Sequence, residues 1–211
     1  MTATNNGRFL QDYRDAGVPN CVFMPNLCDP DTDHRYEVPE KWKADILWTG
    51  KATHQGDTKE TLREELVAEL IKRENCAIYS CYGRPQIGGF DYLYAISGAK
   101  IGVNVNVVNS VELYHSDRLT HYLAGGTFVL AKRVPDTDLL FEDGVHLKYF
   151  DDIDEFFDLT DRYLKNEPER KKIADAGMKR AHEQFNCVKI AGYFLELVEK
   201  GSYKAPWFPK S

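Results

Sequence analysis

The sequence predicts an α/β protein, a doubly wound Rossmann-like parallel sheet with helices on both faces and a helical run at its C-terminal end. Three observations predict it. Short runs rich in β-branched and aromatic residues alternate with longer stretches of helical apolar spacing. The run 127–131, Thr-Phe-Val-Leu-Ala, is apolar on both strand faces, as a strand buried between two helix layers must be. Glycine, proline and capping residues punctuate the chain at the switches between the two patterns. A chain of 211 residues suits one such domain. It is read as a single unit over 1–211, with a leading linker and helix over 1–20 and a C-terminal helix and tail over 186–211.

Taken in order, 8–16 reads as a short helix closed by Gly17 and 22–24 as a short strand before Pro25-Asn26. The next strand is 45–48. Asp57 and Glu60 form a capping-box-like start, and Leu62, Leu66, Val67, Leu70 and Ile71 carry an apolar stripe to about residue 73. Residues 76–80 form a strand ended by Gly83 and Pro85, 90–97 a short helix, and 100–106 a strand in which Ile101, Val103 and Val105 alternate with small or polar residues. Ser116 caps a helix over 117–124 that stops at Gly125-Gly126. After the strand 127–131 come a helical turn at 138–141 and a strand at 145–150. Ile153, Phe156, Phe157 and Leu164 mark a helix, Pro168 opens another, and 188–199 forms the last. The count is roughly five or six strands, each followed by a helix. In the tail, Trp207 and Phe208 are expected to pack on a neighbouring surface.

Composition narrows the function. With 43% hydrophobic and 28% charged residues the chain is an ordinary globular sequence. A net charge of −6 disfavours general nucleic-acid binding, which needs a basic face. The five cysteines, at 21, 28, 76, 81 and 187, include no C-x-x-C pair and read as reduced thiols. The start of the chain is polar and lacks signal-peptide character, and no stretch approaches the ~20 apolar residues of a membrane span. A cytoplasmic protein is expected.

Ligands of doubly wound sheets bind at the carboxyl ends of the strands, so the segments after each strand are the candidates. Gly50-Lys51 follows 45–48: glycine allows close backbone approach to a phosphate and lysine adds a point charge. Arg84 sits in the turn after 76–80. Residues 104–110, then His115, Ser116, Asp117 and Arg118, lead into the helix 117–124. Its free amides and positive dipole end suit a diphosphate, with Ser116 and Arg118 beside it. His121 lies one turn beyond Arg118 on the same face. The segment 133–138, with Asp136, is a weaker candidate. G-x-G-x-x-G, G-x-x-x-x-G-K-[ST], G-x-S-x-G and H-E-x-x-H are all absent, and Asp29, Asp31 and Asp33 lack the glycine and final glutamate of a calcium loop. No metal is expected.

The order of segments resembles the C-terminal, nucleotide-sugar-binding half of a GT-B glycosyltransferase, over nearly the whole chain. The segments are Val22-Phe-Met-Pro-Asn-Leu-Cys-Asp29, Asp45-Ile-Leu-Trp-Thr-Gly50-Lys51, Ala99-Lys-Ile-Gly-Val-Asn104, the stretch 115–130, Leu140-Phe-Glu-Asp-Gly144, and the helix from Pro168 to Gly177. The S-x-R-L start and A-G-G-T end of 116–127 look most like the group 1 branch that includes CgeB-like proteins. The resemblance implies transfer of a sugar from a nucleoside diphosphate donor without a required metal or other cofactor. By the same resemblance Lys51 faces the diphosphate, the loop before Ser116 lies against it, and position 121 addresses the donor ribose. Relatives often carry glutamate at that position and eight residues earlier. Here these are His121 and Leu113, with Glu112 one step out of register. The acceptor-binding half would precede residue 1, so a missing domain or a partner chain is expected to complete the enzyme. The alternatives are a non-catalytic, degenerate Rossmann-like binding or interaction module, and a nucleotide-sugar epimerase of the same architecture.

Overall fold

The computed structural model describes residues 2–5, 7–18, 21–52, 61–205 and 207. Successive side chains of a strand point to opposite faces, and β3 (Ala44–Thr49) shows the consequence. Leu47 packs into one helix layer while Ile46 and Trp48 pack into the other. Around β3 stand β4 (Cys76–Tyr79), β5 (Ala99–Asn104), β6 (Phe128–Lys132) and β7 (Lys148–Phe150). Their order is β4-β3-β5-β6-β7, and every neighbouring pair is parallel.

Parallel neighbours need crossovers: helices supply them as far as β6, a short helical turn at Thr137–Leu139 lies between β6 and β7, and three more helices follow β7. One layer consists of α2 (Leu62–Leu70), α5 (Ile153–Lys165) and the first half of α6 (Glu167–Gln184). It covers Ile46, Trp48, Ile101, Val103, Phe128, Leu130 and Phe150. The other consists of α3 (Gly89–Gly98), α4 (Asp117–Ala124), the end of α6 and α7 (Cys187–Lys200). It covers Leu47, Val129, Ala131 and Tyr149. Burying each large side chain contributes about 1.5–3 kcal/mol. The doubly wound sheet with helices on both faces is therefore the observed architecture.

Helix starts follow local chemistry. Asp152, Asn166 and Asn186 each accept a hydrogen bond from the amide three residues on, at α5, α6 and α7. Ser116 occupies the N-cap position of α4, yet its hydroxyl makes no capping bond. The strand expected over 145–150 begins only at Lys148, because a turn in which the Gly144 amide donates to the Leu147 carbonyl at 2.8 Å delays it. A short strand the sequence did not announce, β1 (Thr2–Thr4), pairs in parallel with β2 (Cys21–Phe23) across α1 (Gly7–Asp15). The capping box expected at 57–60 lies outside the described residues. Trp207 is buried against Phe185, their rings 5.4 Å apart, whereas Phe208 lies outside the described residues.

Candidate functional site

The carboxyl ends of β3, β4 and β5 and the start of α4 border a cleft of about 380 Å³. Thr49 lines it from the end of β3, Gly50 and Ser80 from the loops just after β3 and β4, Asn106 from the segment after β5, and Ser116 and Arg118 from the N-cap and first turn of α4. Arg63 and Tyr92 close it from α2 and α3.

Two guanidinium groups meet in this cleft. Trp48, fully buried, is the surface on which both rest: the Arg118 Cζ lies 4.7 Å and the Arg63 Cζ 5.2 Å from its ring centroid. Arg118 donates to the Thr49 carbonyl and, at 2.9 Å, to the Val105 carbonyl, so it ties the ends of β3 and β5 together. Its Nε is buried without a partner. Arg63 donates to the Lys51 carbonyl at 2.8 Å. Among the described residues no carboxylate forms an ion pair with either group. Burial and then the charge of Arg118 push the Arg63 guanidinium down to about 10. Gly50 makes the approach possible: at φ +110° a side chain is strained, and a Cβ there would sit 3.0 Å from Arg118 Nη1 and 3.6 Å from Arg63 Nη2.

The turn between β5 and α4 is built from asparagines. Asn104 and Asn106 are buried, and such amides must find partners. The Asn106 Oδ1 accepts from the Ser116 amide at 3.1 Å, and its Nδ2 donates to the Tyr114 carbonyl at 3.2 Å. The Ser116 hydroxyl donates to Asn104 Oδ1 at 2.8 Å. That bond engages the hydroxyl elsewhere, so α4 has no capping side chain; the Leu119 amide donates to the Ser116 carbonyl at 3.0 Å, which leaves the amides of Asp117 and Arg118 as those suited to an anion.

The other residues singled out in the sequence are distributed around this centre. His115 is fully buried with its ring 6.2 Å from that of Phe141, and its Nδ1 donates to the Leu113 carbonyl at 3.2 Å. The backbone of Leu113 is left-handed, φ 59°, and the buried His115 ring supports the loop from behind. Burial holds its imidazole neutral, down to about 4. Lys51 is exposed and borders a smaller hollow with Ala52, Ser80, Cys81 and Tyr82. Arg84 is exposed on the loop after β4 and does not line the cleft. Asp117 is exposed in the first turn of α4, where a carboxylate favours the helix dipole. His121 is half-buried one turn beyond Arg118, its Nε2 4.0 Å from Asp33 Oδ2 and its ring 5.9 Å from that of Tyr92.

Sequence reasoning missed Arg63 and Tyr92. Arg63 lies within a helix read for its apolar stripe, and nothing local announces that its guanidinium reaches Trp48. A larger cavity, about 640 Å³, lies at the opposite, amino ends of the strands. Four of its five cations are paired: Lys43 with Glu40 at 2.8 Å, Lys100 with Asp45 at 2.6 Å, Lys171 with Glu167 at 2.5 Å and Arg35 with Asp175 at 2.7 Å; the fifth, Arg170, is buried and donates to the Tyr163 and Leu164 carbonyls. Among the described residues no group of three or more His, Cys, Asp or Glu side chains is placed to hold a metal ion, and no helix is long and apolar enough to cross a membrane.

Fold and cleft define a class: an α/β domain with an open cleft, lined by two arginines, at the carboxyl edge of its sheet. Residues 59–196 match the model of the Glycosyl transferase-like family, and the chain belongs to that family. The fold matches Anabaena Alr3699/HepE, solved in complex with UDP-glucose, at TM-score 0.68 and 12% identity over 93% of this chain and 63% of that one. It matches a glycosyltransferase from Rickettsia africae at TM-score 0.67 and 12% identity, covering 94% and 62% of the two chains. It also matches the C-terminal domain of a group 1 glycosyl transferase family protein, LpcC, from Francisella tularensis, at TM-score 0.55 and 13% identity over 76% of this chain and 99% of that domain. The chain thus spans less than two thirds of the length of the first two. No curated protein matches it.

Proposed function

We propose that this chain binds the donor of a glycosyl transfer, a nucleoside diphosphate sugar, with its diphosphate against Arg118 and Arg63. The observation that carries the reading is the convergence of two guanidiniums on Gly50 with no carboxylate ion-paired to either among the described residues. Two like charges held together cost free energy unless an anion joins them, and a diphosphate brings the complementary charge in a form guanidiniums bind by paired hydrogen bonds.

On this reading the amides of Asp117 and Arg118 approach the same anion from the start of α4, and Lys51 approaches from the β3 loop. His121, beside Asp33, faces the nucleoside end. During transfer the bond between the sugar C1 and the diphosphate oxygen breaks, and its electron pair stays on that oxygen. The acceptor hydroxyl oxygen bonds to C1 and releases its proton. The arginines stabilise the charge that develops on the departing diphosphate. The acceptor approaches across the open side of the cleft, from a second domain or a partner chain.

Calorimetric titration with UDP, GDP and their common sugar conjugates tests the proposal. The expected result is saturable one-to-one binding of one base series, lost in an Arg63→Ala/Arg118→Ala double variant. Equal affinity in wild type and double variant overturns it.

A further inference from the structure

The last helix, α7, is apolar on two opposite sides. Ile190, Tyr193 and Leu197 are buried against the domain. On the outer side Val188, Leu195 and Val198 are 74%, 60% and 56% exposed, with Ala191 and Gly192 exposed between them. Val188, Ala191, Leu195 and Val198 follow one another at steps of three, four and three, so they form one stripe along the helix. Apolar side chains on every side of a helix belong where the helix is covered, and an exposed stripe of this kind marks an interaction surface. It is separate from the cleft, which no residue of α7 lines.

We infer that the outer face of α7 pairs with the same face of a second copy of this chain, the two helices running antiparallel about a two-fold axis beside Tyr193. Shape is the first feature that selects this occupant. In that register, residues equally far before and after position 193 face each other, and each contact occurs twice. Ala191 then faces Leu195, a small side chain against a large one, and Val188 faces Val198. Gly192 adds room beside Ala191: a Cβ there would meet nothing within 4 Å, and the residue borders a hollow of about 340 Å³ with Val188, Lys189 and Glu196. Large side chains set over small ones let two helix axes approach closely.

Charge is the second. Lys189 stands in the first turn of α7 and Glu199 in the last. Each is at the unfavourable end of its own helix dipole, a cation at the positive end and a carboxylate at the negative. Among the described residues neither forms an ion pair, whereas Lys200 pairs with Glu196 at 3.1 Å. Lys189 lies instead near its own Tyr193 ring, 5.6 Å from the centroid. Antiparallel pairing brings Glu199 of one copy to the amino end of the other helix, beside Lys189, on both sides of the axis. Parallel pairing would set lysine on lysine and glutamate on glutamate. One helix stripe buries less than the roughly 1,200 Å² at which standard interfaces begin, so the association is weak and follows concentration.

Sedimentation equilibrium of the chain tests the pairing. A monomer at about 1 μM that shifts toward a dimer as concentration approaches about 1 mM is expected. Leu195→Glu should abolish the shift. Lys189→Glu and Glu199→Lys should each weaken association about ten-fold, and the double exchange Lys189→Glu/Glu199→Lys should restore it to within about three-fold of the original. All three positions are exposed, and thermal melting establishes that the variants fold. A chain that stays monomeric throughout overturns the pairing, as does a dimer that Leu195→Glu leaves intact. A double exchange as weak as the single ones also overturns it, because the charges then do not meet across the axis. So does a monomer that binds phosphatidylglycerol vesicles through Leu195, which assigns the face to a lipid surface.

Discussion

Arg118 and Arg133 both stand near the carboxyl edge of the sheet, and they are set up in opposite ways. Arg133, just after β6, meets Asp138, Asp143 and Asp151 at 3.2–3.4 Å and lies over the Tyr149 ring. Burial works against its charge, but the bonds from Asp143 and Asp151 outweigh that and raise its pKa. Arg118 lies over an aromatic ring too, but its acceptors are neutral carbonyl oxygens and its nearest cation is another arginine. A guanidinium ringed by carboxylates is a strut. Carbonyl acceptors alone do not mark a candidate site, since Arg170 donates to the Tyr163 and Leu164 carbonyls in the other cavity; what sets Arg118 apart is the second guanidinium beside it, with no carboxylate ion-paired to either among the described residues.

The largest expected effect comes from removing the ring beneath the open pair. Trp48→Ala should cost about 3–5 kcal/mol of stability, read in urea unfolding, because a large fully buried side chain leaves a cavity and both guanidiniums lose their support.

Next is the buried imidazole behind the α4 turn. The unfolded chain protonates His115 below pH 6.5, whereas the folded chain resists until about 4. The unfolded state therefore binds more protons in that window, and stability falls as pH drops through it, by up to about 3 kcal/mol. His115→Gln should flatten this part of a stability profile measured between pH 7 and 4. An unchanged slope would place the titration elsewhere.

A smaller effect is expected for Arg118→Ala alone, a loss of about 1–3 kcal/mol in nucleotide affinity. Arg118→Lys should recover little, since an ammonium cannot reach the two strand ends and a phosphate together. Arg133→Ala sharpens the contrast from the other side. Its ion pairs are partly exposed, so about 0–1 kcal/mol of salt-sensitive stability should go, with nucleotide affinity unchanged.

Much of the fold could be read in the residues because it follows from local rules. Alternation in β3 and β5 assigns faces by itself, and Ser116 with Gly125-Gly126 sets the bounds of α4 at Asp117–Ala124. The strand Thr2–Thr4 escaped because the three residues Thr-Ala-Thr are too short a run to show a period, and it is paired only with β2. The site was legible as a neighbourhood rather than as a set of side chains. Gly50, Ser116 and Arg118 sit where strand ends and a helix start converge. Arg63 was hidden because its role depends on Trp48 and Gly50, at least 13 residues away in sequence. His115 looked available beside Ser116, but its ring is buried in the core near Phe141.

The most direct measurement is a crystal structure of the chain soaked with UDP-glucose. The account predicts diphosphate oxygens within hydrogen-bond distance of both the Arg63 and Arg118 guanidiniums, beside Gly50. A nucleotide seated in the cavity at the amino ends of the strands, or one held in the cleft without either arginine, would contradict it.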